Sequence, residues 1–187
     1  MISAITLGLR ALQLLFSVVI LGLAVTLIKG QVIDDAPVTT KYASFTGGFG
    51  IIVCALGVAS LWVSAIPDLV VLGIDALAGI FFAAGGIAWA IGLRGIQCTN
   101  EEQFDKLLDN GLLNQGSVTV NGGTAYGVYK DDTSGEAAWK KLSSNCQKGL
   151  ADEVFQFLTF GLAVGLLALG YVRMKNGGGT KRSGYVV

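Results

Sequence analysis

The chain has 187 residues, of which 52% are hydrophobic and only 14% are charged, against roughly 25% charged in an ordinary soluble domain. Its formal net charge is zero and no basic segment stands out, which excludes the electrostatic footprint of a nucleic-acid-binding protein. Histidine, the usual general base and the commonest metal ligand, is absent, so the composition favours a membrane protein without catalytic chemistry.

Four long apolar segments predict four membrane-spanning helices, because a segment exposed to lipid must satisfy its own backbone hydrogen bonds. Each segment is long enough to cross a hydrocarbon core of ~30 Å. The first could instead be a cleaved signal peptide, but its apolar core is longer than such peptides have, which favours a retained helix. The four predicted spans are residues 11–28, 42–66, 69–93 and 154–172.

The fold class expected is therefore an all-α membrane protein, a four-transmembrane-helix bundle. Residues 1–172 form its membrane domain, and residues 173–187 form a basic tail that contains no acid. Basic residues accumulate in cytoplasmic flanks, so we expect this tail to be cytoplasmic. With an even number of spans, the N-terminus lies on the same side and the long link, residues 94–150, lies outside.

This outer link, between the third and fourth spans, has a soluble character and should be structured. The segment EEQFDKLLDNGLL reads as helical, with Asn100 or Thr99 as its N-cap. In SVTVNGGTAYGVY, alternating β-favouring residues flank a turn and predict a hairpin. Before the fourth span, Ala138, Leu142 and Cys146 share a helical face.

Two of the three cysteines, Cys98 and Cys146, lie in this link near the membrane boundaries. An oxidising compartment would favour a disulfide between them, the alternative being two unpaired thiols. Such a bridge closes a loop of about 49 residues, which contributes roughly 4 kcal/mol in the chain-entropy picture. Cys54 lies deep in the second span and reads as a packing residue. Two cysteines without histidine do not make a zinc site, so no metal is expected.

One carboxylate, Asp75, interrupts the third span. It lies roughly 10 Å along the helix from the tight link around Pro67, at ~1.5 Å per residue, and an uncompensated charge there is costly. Its side chain should face the bundle interior, either ionised or protonated as a hydrogen-bond donor. We interpret it as a buried polar residue that holds helices together, rather than as a ligand-binding or proton-transfer site. The candidate partners are Gln13, Ser17, Ser60, Ser64 and, if it reaches inward, Arg10.

Small residues recur at spacings that let helix backbones approach closely. The pair Gly161 and Gly165 forms a GxxxG motif in the fourth span. The favoured interpretation is that these small faces pack the bundle itself, while the alternative keeps the face of Gly161 and Gly165 for a neighbouring protein or an ordered lipid. The other helix-packing positions are Ser44 with Gly48, Gly79 with Ala83, Ala88 with Gly92, and the adjacent Gly85 and Gly86.

An enzyme is not expected, because no serine has a basic partner at a readable spacing and no cofactor cradle is present. The tail segment NGGGTKRSG lacks the strand-turn-helix context of a phosphate-binding loop. A pore would line its path with several intramembrane polar groups, and these spans offer few.

Three features carry a resemblance to a known family: Asp75, the segment GLRGIQCTN at residues 92–100, and Cys146. Together with the architecture, they resemble the fungal MARVEL-domain proteins of the non-classical export protein 2 type. The chain departs from that pattern in its longer outer loop and its shorter basic tail.

The resemblance implies a multi-pass plasma-membrane protein with both termini cytoplasmic that organises eisosome-type, sphingolipid-responsive microdomains. It implies as partners membrane lipids, sphingolipids or sterols, other membrane proteins and further copies of the chain, with no cofactor. The alternative hypothesis is an accessory subunit stably bound to a large membrane enzyme or transporter, whose outer loop caps that partner.

Overall fold

The computed structural model describes residues 2–60, 63, 67–120 and 122–175. Four of its helices are long and apolar enough to cross a membrane, which confirms the predicted four-span helical bundle. The helices are α1 (Ile2–Lys29), α2 (Val38–Ala59), α3 (Asp68–Gly92), α4 (Phe104–Leu108) and α5 (Gly135–Lys175). Two strands, β1 (Ser117–Val120) and β2 (Gly123–Tyr126), and two short 3-10 helices, Glu101–Gln103 and Gly127–Tyr129, complete the described elements.

The helix bounds differ from the predicted spans because helices do not end where apolar composition ends. The first helix begins at Ile2 rather than about residue 11, and the second runs over Val38–Ala59 rather than 42–66. The largest difference concerns the fourth helix, which begins at Gly135, whereas the predicted span begins at about residue 154. The helix therefore includes the last part of the predicted link, residues 94–150. The tail beyond Lys175 lies outside the described residues.

Helix α5 begins early because the chain before it carries an N-terminal cap. The Ser134 hydroxyl accepts a hydrogen bond from Ala137 N at 3.3 Å, and Glu136 places a carboxylate in the first turn. The Asp132 carboxylate in turn accepts a hydrogen bond from Ser134 N at 2.8 Å, and this bond lowers the pKa of Asp132. At roughly 1.5 Å per residue, the helix is about 60 Å long, far more than a membrane requires.

The four long helices run antiparallel to their neighbours. Gly57 of α2 lies against Arg10 of α1, and Gly47 lies against Leu21, so the two helices run in opposite directions. Gly79 of α3 faces Ala163 of α5, and Gly85, further along α3, faces Gln156, which comes earlier in α5. These two helices therefore also run in opposite directions. One end of the bundle therefore holds the start of α1 and the end of α5, and we call it the terminal end. The other holds the long α3–α5 link, and we call it the loop end.

Glycines allow the close contacts between helices, but only some of the glycines predicted to do so lie at a contact. Gly79 and Gly85 pack against α5, as does Gly86, whose missing Cβ leaves room for the Phe157 ring. A Cβ at Gly161, Gly165 or Gly48 would meet no atom within 4 Å. The favoured prediction that the Gly161 and Gly165 face packs the bundle is therefore wrong. The bundle uses the neighbouring Ala163 instead.

The α3–α5 link folds into a cap over the loop end. Its hydrophobic core includes Trp89 from α3, Leu113 from the link and Leu142 from α5, all fully buried. Strands β1 and β2 form the predicted antiparallel hairpin, paired from Ser117 with Tyr126 to Val120 with Gly123. Asn100 caps the first 3-10 turn by accepting from Glu102 N, as the sequence predicts.

Candidate functional site

A buried ion pair joins α1 to α3 near the terminal end. Arg10 Nη1 donates to Asp75 Oδ1 at 2.6 Å, and Nη2 donates to Oδ2 at 2.5 Å. Both residues are almost wholly buried, at 3% and 2% exposed. This bidentate geometry matches the planar guanidinium to the carboxylate and gives each charge its counter-charge away from water.

Polar groups from α1 and α2 surround the pair. Gln13 Oε1 accepts a second bond from Arg10 Nη1 at 3.0 Å. The Cys54 thiol lies 3.3 Å from the backbone oxygen of Arg10 and 3.4 Å from Gln13 Oε1, so its S–H can donate to either. Gly57 has no side chain where a Cβ would strike the guanidinium. We call Arg10, Gln13, Cys54 and Asp75 the terminal-end centre.

The structure places two of the predicted partners beside Asp75. Arg10 binds the carboxylate directly, and Gln13 is hydrogen-bonded to Arg10. Ser17 donates to Gln13 O of its own helix at 2.7 Å, and Ser60 donates to Gly57 O at 2.8 Å. Those two hydroxyls satisfy local backbone groups and do not reach the carboxylate. Ser64 lies outside the described residues.

A second polar centre, which the sequence reasoning missed, lies toward the loop end. Gln156 of α5 donates through Nε2 to Thr46 Oγ1 at 2.9 Å and to Asp152 Oδ1 at 3.2 Å. All three side chains are fully buried. The Trp89 indole lies within reach of the Asp152 carboxylate. Thr40 Oγ1 is also buried, without a hydrogen-bond partner among the described residues. We call Thr46, Asp152 and Gln156 the loop-end centre.

One signal in the sequence could have revealed this centre. Asp152 and Gln156 are four residues apart, so they lie on one face of a helix. The predicted fourth span begins at about residue 154, so the hydropathy pattern places Asp152 outside it. Asp152 lies within the long apolar helix Gly135–Val172, which is a candidate membrane span.

An apolar layer separates the two centres along the helices. Ile20, Ala78 and Phe82 are fully buried in one hydrophobic cluster, together with Val53. Phe82 also fills the space above Gly50, where a Cβ would meet its ring. The polar groups thus form two buried clusters with packed apolar side chains between them. This arrangement is suited to holding the helices in register.

The predicted disulfide is confirmed: Cys98 and Cys146 are bonded across a sequence separation of 48 residues. Cys146 is fully buried in the cap core, and the bridge fastens the start of the link to α5. Ser143 reinforces this joint by donating to Cys98 O at 2.7 Å. Cys54 is a free, buried cysteine, as expected of a packing residue. Among the described residues, no group of three or more acidic or cysteine side chains could hold a metal ion.

The comparison with protein-family models finds one match over nearly the whole chain. The model of the MARVEL family, described as a membrane-associating domain, matches residues 3–169. The match includes nearly all of the four long helices, both polar centres and the disulfide-bonded cap. No curated protein and no solved structure matches the chain.

Proposed function

The chain belongs to the MARVEL family of membrane-associating proteins, and on that premise we propose that it organises lipids and proteins into membrane microdomains by lateral binding. The specific setting we propose is the plasma membrane, in an eisosome-type domain that responds to sphingolipid, with both termini cytoplasmic. The proposal assigns the chain no enzymatic reaction.

The observation that carries this proposal is the open glycine face of α5. Gly161 and Gly165 lie one helical turn apart, and a Cβ at either would meet no atom within 4 Å. Such GxxxG faces let a second helix, or an ordered lipid, approach the backbone closely. A bundle that leaves this face uncovered offers a lateral surface for another membrane component.

The use of the intramembrane polar groups supports the same proposal. Arg10 and Asp75 engage one another, and Gln156 engages Thr46 and Asp152, so these groups hold helices together. A transport path would instead expose such groups along a water-filled route. The apolar layer of Ile20, Ala78 and Phe82 lies between them.

A relocation experiment tests the proposal. The fluorescently tagged chain should occupy discrete plasma-membrane patches and redistribute when sphingolipid synthesis is inhibited. The double variant Gly161→Leu and Gly165→Leu should fold but lose its patches, because the added side chains block close approach. Gly22→Leu is the matched control, since Gly22 is also open but belongs to α1. A uniform distribution that ignores sphingolipid depletion would contradict the proposal.

The exposed hairpin favours a second candidate function, that of an accessory subunit of a larger membrane complex. All four residues of β1 are exposed, although Val118 and Val120 are apolar. Unpaired strand edges of this kind are ready to pair with another chain. Purification in a mild detergent tests this: a partner at constant stoichiometry would support the subunit role, and recovery of the chain alone would remove it.

A further inference from the structure

We propose that a groove between α3 and α5 at the loop end binds the headgroup of one long-chain amine, whose ammonium group pairs with the Glu153 carboxylate. This lipid site rests on the proposed function in that it requires a membrane-embedded bundle. It adds a defined binding position and a chemical class of ligand to that function.

The groove lies where the C-terminal end of α3 and the start of the α3–α5 link meet α5. Ala90 and Leu93 line it from α3, Leu150 lines it from α5, and Gln97 and Gln147 add two amides. Its volume is ≈ 530 Å³, within the range of about 300 to 1,000 Å³ that small-molecule pockets have. Walls that are partly apolar and partly polar fit an amphipathic ligand.

One carboxylate gives the groove its chemistry. Glu153 lines the groove and is half-buried, so part of its side chain stays accessible. Among the described residues, no hydrogen bond or ion pair engages its carboxylate. No basic side chain is found among the described residues that line the groove. The negative charge therefore lacks a counter-charge, which favours a cationic ligand.

The position of Glu153 along α5 places this charge at a membrane boundary. A hydrocarbon core of ~30 Å corresponds to about 20 residues of helix, at ~1.5 Å per residue. Counted back from Arg173, near the end of α5, about 20 residues reach Glu153 at the loop end. The carboxylate therefore lies where the hydrocarbon begins, and an unpaired charge is costly there.

The same depth indicates which ammonium group fits. In phosphatidylethanolamine and phosphatidylcholine, the ammonium group follows the phosphate and lies in the outer part of an interfacial region about 5 to 7 Å thick. In a long-chain amine, it is bonded at the head of the alkyl chain, where the hydrocarbon begins. Gln97 and Gln147 lie on the cap side of Glu153, so their amides can bind hydroxyl groups beside the amine. The ligand class is therefore a long-chain vicinal amino alcohol.

The experiment uses the full chain in nanodiscs of phosphatidylcholine that contain a trace of a long-chain vicinal amino alcohol. This probe carries a photoreactive diazirine near the head of its alkyl chain, and we expect it to label residues 90–97 and 147–153. Glu153→Gln keeps the size of the side chain but removes the charge, and should weaken binding about tenfold. Glu102→Gln is the matched control, since Glu102 is an exposed carboxylate that does not line the groove.

A second variant leaves the charge in place and fills the groove. Leu150→Trp should reduce the labelling, because the indole occupies the space of the headgroup. Val154→Trp is its control, since Val154 is 49% exposed, follows Glu153 directly and does not line the groove. Circular dichroism and gel filtration establish that all four variants fold.

Competition with unlabelled lipids then tests the charge without any mutation. The unlabelled amino alcohol should displace the probe, whereas a long-chain diol, with a hydroxyl in place of the amine, should compete about tenfold less well. Equal competition by the diol would overturn the ion pair with Glu153. Equal competition by phosphatidylethanolamine would overturn the choice of a long-chain amine.

Equal labelling of the wild type, Glu153→Gln and Leu150→Trp would overturn the site itself. This failure is distinguishable from failure of the proposed function, because no cell is involved. A chain that binds the amine in nanodiscs but stays uniformly distributed in cells would contradict the proposed function alone. A chain that relocates in cells but does not bind the amine would contradict this site alone.

Discussion

At the scale of single residues, Arg10 and Asp75 illustrate how a buried ion pair differs from a buried charge. Each is more than nine-tenths buried, and each depends on the other for neutralisation. Removing one partner leaves an uncompensated charge, which typically costs 3 to 5 kcal/mol. Replacing both with apolar side chains removes the charges and the need for compensation together.

We therefore expect Asp75→Leu and Arg10→Leu each to destabilise the bundle by about 3 to 5 kcal/mol, and the double variant to lose much less than the sum. Unfolding of the purified chain by a denaturing detergent, followed by tryptophan fluorescence, measures the three free energies. Asp75→Asn keeps an acceptor for Arg10 but removes the charge, so its loss should be intermediate. Additive losses in the double variant would contradict the pair as a coupled unit.

The sequence made Asp75 visible because a carboxylate stands out within an apolar run. It offered several partners, since Arg10, Gln13 and three serines all reach a similar depth, and only packing decides among them. Asp152 was not visible, because it lies just outside the apolar run and looks like a loop residue. Its burial follows from the length of α5, which the hydropathy pattern does not report.

At the scale of helices, the α1–α2 contact depends on which of two adjacent glycines faces the partner. A Cβ at Gly47 would lie 2.7 Å from Leu21 N and 2.9 Å from Leu21 Cα, whereas a Cβ at Gly48 would meet nothing. The main chain of a helix cannot move aside as the end of a flexible side chain can. Small-residue spacing predicts that such contacts exist but not which face of the helix makes them, so it points to Gly48, although Gly47 makes the contact.

Gly47→Ala should destabilise the protein by about 1 to 3 kcal/mol, the usual cost of overpacking a close contact. Gly48→Ala should be neutral or slightly stabilising, because alanine is the better helix former by about 1 kcal/mol. The two variants differ by one position on the same helix, so they share composition and membrane depth. Thermal unfolding in detergent measures both, and equal melting temperatures would show that the helices do not approach as described.

At the scale of the whole molecule, the cap and the membrane bundle are joined by the disulfide and by a network of hydrogen bonds. The backbone N–H groups of Val32 and Ile33 donate to Gln115 O, which ties the α1–α2 link to the cap. Tyr126 donates to Asp109 at 2.8 Å, and this bond raises the pKa of the Tyr126 phenol. The architecture, the disulfide and the hairpin could be predicted, but the core of the cap could not, because it brings together residues as distant in sequence as Trp89 and Leu142.

Loss of the disulfide should loosen the cap and spare the spans. We expect Cys98→Ser with Cys146→Ser to lower stability by about 2 to 4 kcal/mol. Limited proteolysis should cut the variant faster at Lys106, an exposed residue in the cap, while circular dichroism reports unchanged helix content. Added reductant should reproduce the effect in the wild type and do nothing further to the variant. Unchanged cleavage would show that the cap core holds without the bridge.

The continuity of α5 has a mechanical consequence. The helix runs from Gly135 in the cap to Lys175 at the terminal end without a break, and the bridge from Cys98 to Cys146 anchors it to the end of α3. We therefore expect a displacement of the cap to be carried along this helix to Gly161 and Gly165, because no break in α5 separates them from the cap.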